Sequence, residues 1–267
     1  MLITNKIMQR YFIQLSYDGT NYHGWQNQPN GITVQETVEK VLSMVSRQKI
    51  AVTGAGRTDA GVHASFYVAH FDTENQNLDT AKILHNLNCL LPCDIAIQNI
   101  YKVHPEAHAR FDALFRTYHY YLIKNKDPFL RQYAAREARI PDIEKMNEAA
   151  KKLFEYEDFT SFSRLGTDVK TNNCKVSLAE WVDENNKLVF TIRADRFLRN
   201  MVRAIVGTLL EVGFGKLTID GFCKIIEAKD RCSAGASVEA KGLFLADIGY
   251  PEELSSGLIR TTKGGNF

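Results

Sequence analysis

Apolar and polar positions alternate through 11–17, which puts Tyr11, Ile13, Leu15 and Tyr17 on one face of a strand. Asp18-Gly19-Thr20-Asn21 then predicts a turn. Thr33 and Glu36 have the spacing of a capping box. Val34, Val38, Val41, Leu42 and Val45 follow at helical spacing, so a helix is expected to about Ser46. A short strand over 50–53 runs into Gly54-Ala55-Gly56, and 62–71 reads as extended. A helix over 80–90 is closed by Pro92, and 95–103 is a further strand.

The second half resumes with a Tyr-rich strand at 117–123. Pro141 opens a helix carrying Ile143, Met146, Ala150 and Leu153. Strands are expected near 174–182 and 188–194. A largely apolar helix follows over 197–212, broken by Gly213 and Gly215, with another over 219–228 and a last strand at 243–248. Each half mixes strands and helices in similar order, with no low-complexity linker and no sequence repeat. The boundary is expected around 104–111, dividing the chain into halves 1–105 and 106–267. Strands outnumber crossover helices, so the expected fold class is α+β with a largely antiparallel sheet.

Composition adds limits. The chain has 267 residues, 45% of them hydrophobic, so it can bury roughly three quarters of its unfolded surface. Intrinsic disorder, a collagen-like fold and a small disulfide scaffold are excluded. No apolar run nears the ~20 residues of a membrane span. Residues 1–10 lack the apolar core of a secretory signal, and a cytoplasmic protein is expected. The five cysteines are odd in number, and Cys89 and Cys93 have the wrong spacing for a zinc knuckle. Buried free thiols and no metal are expected. Lys plus Arg number 33 against 31 acidic residues, so net charge announces no nucleic acid. Its distribution says more: Arg193, Arg196, Arg199 and Arg203 crowd one stretch with Asp195 as the only acid. That stretch is either a solvated helix face or a stripe facing phosphates.

The densest chemistry lies in Gly54-Ala55-Gly56-Arg57-Thr58-Asp59-Ala60-Gly61-Val62-His63-Ala64, between two apolar strands. Glycines at 54, 56 and 61 permit positive φ and close backbone approach. A loop tip held by strands is where functional side chains gather. Two readings stay open from the residues alone. A dinucleotide loop lacks its third glycine and its following helix. A tight turn would have Asp59 capping backbone N–H groups and Arg57 in solvent.

With this segment the chain resembles the tRNA pseudouridine synthases of the TruA type. The resemblance covers nearly the whole sequence. It runs, in family order, through 15–26 ending in Trp25-Gln26, Val34-Gln35-Glu36, all of 54–64, and Arg110-Phe111 followed by Arg116, Tyr118 and Tyr120. Asp158-Phe159 with Ser161-Phe162, Met201-Val202-Arg203 with Ile205-Val206-Gly207, and Gly242-Leu243 with Leu245 complete it.

The resemblance implies an enzyme that breaks the N1–C1′ bond of a chosen uridine, turns the uracil and rejoins it through C5. It implies no metal or organic cofactor, and a homodimer whose subunits each have two pseudo-symmetric halves with a catalytic cleft between them. The implied substrate is the anticodon stem-loop of tRNA at tRNA positions 38–40. Asp59 matches the catalytic carboxylate, acting as nucleophile at C1′ or as base on the sugar. Arg203 matches its basic partner. Tyr118 matches the active-site tyrosine, with a ring to stack on uracil and a phenol for proton chemistry. Arg57 is expected to fill the space of the extruded base and Leu243 to pack on the uracil. Arg110, Arg116, Arg196 and Arg199 are expected to meet RNA phosphates. His63 is expected to be a structural loop histidine.

The chain departs from the family pattern at Phe66-Tyr67, Asn172-Asn173-Cys174-Lys175, Arg199-Asn200 and Ser237-Val238-Glu239. Two other functions compete. A non-catalytic RNA-binding protein would need no buried carboxylate facing phosphate. A glycosidase would need a second acid beside Asp59, and the matched segments supply none.

Overall fold

The computed structural model describes residues 8–164, 171–184 and 187–260. The chain forms two compact units. The first comprises Met1–Thr58, Ala64–Leu114 and Ile248–Phe267, the second Asp59–His63 and Phe115–Asp247. The sheet pairing is mostly antiparallel and the class is α+β, as the balance of strands and helices predicts.

In order, the first elements are β1 (Gln9–Tyr17), α1 (Val34–Ser46), β2 (Val52–Gly54), β3 (His63–Thr73), α2 (Thr80–Leu90) and β4 (Ile95–Lys102). β1 lies between β4 and β3, antiparallel to both, and β2 pairs with β3. Thr33 caps α1 through its side chain, which accepts from the Glu36 N–H at 3.2 Å. The alternation in β1 suggested one buried face, yet nearly all its residues are buried. The reason lies at the far end of the chain. Residues 250–260 return to this sheet, where Gln14 Nε2 donates to Ile259 O at 2.7 Å and Tyr101 Oη to Leu254 O at 2.7 Å. Buried Gln14 and Gln9 are thus satisfied polar groups, Gln9 through Val103 O at 3.0 Å.

The later elements are β5 (Phe115–Ile123), β6 (Ala135–Arg136), α3 (Ile143–Lys152), β7 (Val176–Glu184), β8 (Lys187–Ala194), α4 (Met201–Gly213), α5 (Ile219–Ala228), β9 (Leu243–Gly249) and α6 (Glu252–Ser255). In the second unit β5 lies between β9 and β8, and β7 follows β8. Two-residue β6 joins β5 in parallel, too short to register in a periodicity. The core gathers Tyr120 and Leu122 of β5, Phe190 and Ile192 of β8, Met146 of α3, Phe222 of α5 and nearly all of α4. Val62, from the short stretch 59–63, is buried in the same cluster.

The helix expected from 197 begins at Met201. Asn200 has φ 67°, and Met201 N–H donates to Leu198 O at 3.1 Å, which closes a turn before the helix. Phe197 and Leu198 are apolar because they pack, on Tyr118 and in the core, and not because they are helical. Cys174 is buried as expected, but Cys89, Cys93 and Cys232 are exposed. The buried positions of α2 are Ile83 and Leu87, and Cys89 lies off that stripe. Among the described residues no helix is long and apolar enough to cross a membrane.

Candidate active site

The loop that carries Asp59 is fixed residue by residue. On its first side Tyr17 Oη and Thr58 Oγ1 share a hydrogen bond of 2.9 Å, and Trp25 N–H donates to Thr58 O at 3.3 Å. Ala55 N–H donates to Val68 O at 2.9 Å. Gly54 is required by packing, since a Cβ there would stand 2.2 Å from Tyr67 Oη and 2.4 Å from the Trp25 ring nitrogen. Tyr67, one of the departures from the family pattern, lies 4.1 Å from Trp25 between ring centroids and donates its hydroxyl to Gly56 O.

On its other side the turn closes with Val62 N–H donating to Asp59 O at 3.1 Å. Gly61 takes φ 75°, the left-handed region that glycine enters without cost. Val62 is buried in the core of the second unit. His63 stacks on Phe244, centroids 4.5 Å apart, with Nε2 3.0 Å from Gln132 O and 3.2 Å from Lys241 O. His63 is therefore an anchor of the loop, as expected.

Asp59 itself is one-quarter exposed and meets two cations. Oδ2 lies 3.7 Å from Arg203 Nη1 and Oδ1 lies 3.7 Å from Arg199 Nε. At about 4 Å and an effective dielectric near 20, one such pair attracts by roughly 4 kcal/mol before desolvation is subtracted. Both distances exceed hydrogen-bond length, and among the described residues no group donates a hydrogen bond to this carboxylate. Its lone pairs are left open for chemistry.

Arg203 is locked in place. Its Nε donates to Val238 O at 2.7 Å, and Val238 N–H donates to Arg203 O at 3.2 Å. Asn200 Nδ2 reaches Ser237 Oγ at 2.6 Å, as does Arg231 Nη2 at 2.9 Å. Two departures from the family pattern, Arg199-Asn200 and Ser237-Val238-Glu239, thus touch each other. The bond to Arg203 uses only the backbone of Val238, so a changed side chain there leaves it intact.

Tyr118 stands on β5 opposite Ile192 of β8, on the same face as Tyr120 and Leu122. Its ring meets Phe197 edge-on, 5.1 Å between centroids and 90° between planes. Burial pushes the phenol above its ordinary range, the Asp59 carboxylate adds to this, and Arg116 opposes it. Tyr118 therefore rests as a neutral phenol. Leu243 is 6% exposed at the start of β9, within the core cluster.

The second unit brings together Asp59, Tyr118, Arg203 and Arg199. Arg199 was expected at RNA phosphates, and its closeness to Asp59 was missed. The arginine stripe is not one helical face. Arg193 belongs to β8, donates to Thr117 Oγ1 at 2.9 Å and lies 4.4 Å over the Phe115 ring. Arg196 and Arg199 sit on the connection to α4, and only Arg203 is helical. Arg196 forms no ion pair among the described residues. Arg116 donates to Asp195 O at 2.9 Å. In the first unit, exposed Arg57 and Arg110 line one pocket with Gln26, Gln35 and Gly56.

A sequence model of the family described as tRNA pseudouridine synthase matches residues 14–112 and 149–251. A tRNA pseudouridine synthase A of Bacteroides thetaiotaomicron is 62% identical over 252 residues, 93% of this chain and 93% of that relative. One from Parabacteroides distasonis is 60% identical over 247 residues, 92% of this chain and 98% of its own. A more distant one, from Clostridium acetobutylicum, is 42% identical over 245 residues, 91% of this chain and 100% of its own.

Proposed function

Because the chain belongs to the tRNA pseudouridine synthase A family, whose reaction is an isomerisation, we propose that it converts uridine to pseudouridine in the anticodon stem-loop of tRNA, at tRNA positions 38–40. The observation that carries the catalytic part is the Asp59 carboxylate, paired with two arginines and hydrogen-bonded by no described group, in the same compact unit as Tyr118. Asp59 acts at the ribose, by attack on C1′ or by removal of a sugar proton. The N1–C1′ bond breaks, the uracil turns, C5 bonds to C1′, and the C5 hydrogen leaves as a proton while N1 gains one. Atoms and electrons balance without an external reagent.

Arg203 supplies the positive charge that faces Asp59 when RNA covers the site. Tyr118 offers a neutral hydroxyl to the base, and its ring a face for stacking. Arg57 and Arg110 contact the RNA where the target leaves its stack. A homodimer comes with this reading, and the molar mass in solution checks it.

Asp59→Asn is the decisive variant. The amide is nearly isosteric, so the turn closed by Asp59 O and Val62 N–H survives, while nucleophile and base are both lost. Release of tritium from C5-labelled uridine in tRNA should vanish, and gel-shift binding should persist because phosphate contacts supply much of the affinity. Substantial tritium release by the folded variant would refute the assignment of Asp59.

A further inference from the structure

We infer that the pocket beside the catalytic loop, lined by Gln26, Gln35, Gly56, Arg57 and Arg110, is a seat for one backbone phosphate of the RNA substrate, with Gly56 kept side-chain-free to admit it. The inference rests on the proposed RNA substrate and assigns a subsite to it.

Gly56 is the first ground. Gly54 is glycine because Tyr67 and Trp25 fill its side-chain space, and Gly61 because of its positive φ. Neither reason applies at 56. Its φ is not in the left-handed region, and a Cβ built there meets nothing within 4 Å. No packing and no backbone conformation within the described chain calls for glycine, and the open space it leaves is the pocket itself. A missing side chain that serves nothing inside the fold permits close approach from outside.

The lining is the second ground. It holds two guanidinium groups and no carboxylate. Arg110 also lies 5.8 Å over the exposed ring of Phe111, so its planar fork is presented from a partly ordered position. Gln26 is pre-oriented by a chain of bonds. Gln35 Oε1 accepts from Asn27 N–H at 2.9 Å, and Gln35 Nε2 donates to Val52 O at 2.9 Å, which fixes which end of Gln35 is which. Gln35 Oε1 is therefore an acceptor toward Gln26, and the Gln26 group facing it at 2.9 Å is the NH2. One of those two hydrogens remains for a ligand. The backbone N–H groups of Gly56 and Arg57 donate to no partner among the described residues. The charged groups of the pocket are thus both cations, joined by the free amide hydrogen of Gln26 and the N–H groups of Gly56 and Arg57.

The pocket is about 100 Å³, room enough for a phosphodiester group.

The test uses the full chain and unmodified tRNA. Gly56→Val puts branched methyl groups into the pocket, where the fold leaves room, and its thermal midpoint should match the parent's. tRNA affinity should fall by at least tenfold. Arg110→Gln should lower affinity and reduce the slope of log affinity against log salt by about one, the value of one lost phosphate contact. Inorganic phosphate, compared with chloride at matched ionic strength, should compete with tRNA on the parent and not on Gly56→Val. Parent-like affinity of folded Gly56→Val together with a parent-like salt slope for Arg110→Gln would overturn the subsite. Competition by phosphate with normal tRNA binding by Gly56→Val would make it a site for a free anion, which also overturns it. Pseudouridine formation by the parent is read separately, so failure of the subsite is distinguishable from failure of the proposed reaction.

Discussion

A carboxylate that works on a sugar needs lone pairs not consumed by hydrogen bonds, and Asp59 has two cations just beyond bonding distance. The two are not equivalent. Arg203 is one-fifth exposed and tied to Val238, whereas Arg199 is about half exposed. Arg203→Gln should therefore cost far more turnover than Arg199→Gln, since an exposed pair is screened by solvent. Single-turnover rates of the two variants with saturating tRNA check the order, and equal losses would contradict it. Tyr118→Phe keeps the ring against Phe197 and deletes only the hydroxyl. tRNA binding should stay close to the parent's, while the single-turnover rate falls by roughly 10²-fold or more, the usual worth of a positioned proton donor. A parent-like rate would leave Tyr118 as a stacking surface alone. At this scale the residues themselves singled out the 54–64 loop with Asp59, whereas Tyr118 on β5 and Arg203 on α4 were reached through the family resemblance. The closeness of Arg199 to Asp59 was not legible. Seeing it requires knowing that Asn200 turns left-handed, and nothing in a row of arginines announces that.

At the scale of elements, α4 and the segment that lies along it set the position of Arg203. Gly235 N–H donates to Thr208 Oγ1 at 3.0 Å, and that hydroxyl donates to Ala204 O at 2.8 Å. Close passage of the segment requires Gly207, where a Cβ would stand 1.9 Å from Ala236 O. The obstacle is backbone, not a movable side-chain end. Gly207→Ala should destabilise the fold by about 1–3 kcal/mol despite alanine's better helix propensity. It should also lower activity more than tRNA binding, because displacing the segment moves Val238 and with it Arg203. Urea unfolding and single-turnover rates on one preparation measure both, and a stabilised variant would contradict the argument. Most element boundaries were readable from periodicity because capped helices and alternating strands carry local signals, as where Thr33 opens α1. The start of α4 was misplaced because Phe197 and Leu198 are apolar for tertiary reasons, which periodicity cannot separate from helix. Full burial of β1 was likewise hidden, since residues 250–260 cover it from the far end of the sequence.

For the whole molecule, the chain path links stability to activity. The first unit is assembled from three separate stretches, and the piece Asp59–His63 departs from it at Thr58 and returns at Ala64. Both ends of the catalytic loop are therefore covalently tied to the β2–β3 pair, and acid loss of that pair should release the loop. His70 on β3 contributes a pH dependence of its own, beside His108, whose pKa burial also lowers. It is buried, its Nδ1 accepts from Ala109 N–H at 3.1 Å, and Phe12 stacks on it with centroids 6.4 Å apart. Burial above all, then the charges of Arg10 and His108, lowers its pKa from 6.5 to about 4. The unfolded chain takes up this proton near 6.5 and the folded one only near 4, so between these values the unfolded state holds more protons. The stability of neutral His70 is full above about pH 6.5 and is lost as pH falls toward 4. From pH 7 to pH 5 the linkage amounts to about 2 kcal/mol. Asp72, held below its ordinary value by its hydrogen bonds from Arg10, is lost in a more acid window and does not mask the effect. His70→Asn keeps an acceptor near the Ala109 N–H and removes the titration. Its stability at pH 7 should be lower than the parent's because of lost packing, but its fall between pH 7 and pH 5 should be smaller by about 2 kcal/mol. Urea unfolding at the two pH values measures this. The parent's pseudouridine formation, assayed at pH 7 after incubation at low pH, should fail over the same window in which β3 unfolds. A His70→Asn chain with an unchanged slope between pH 7 and pH 5 would remove His70 as a source of acid sensitivity.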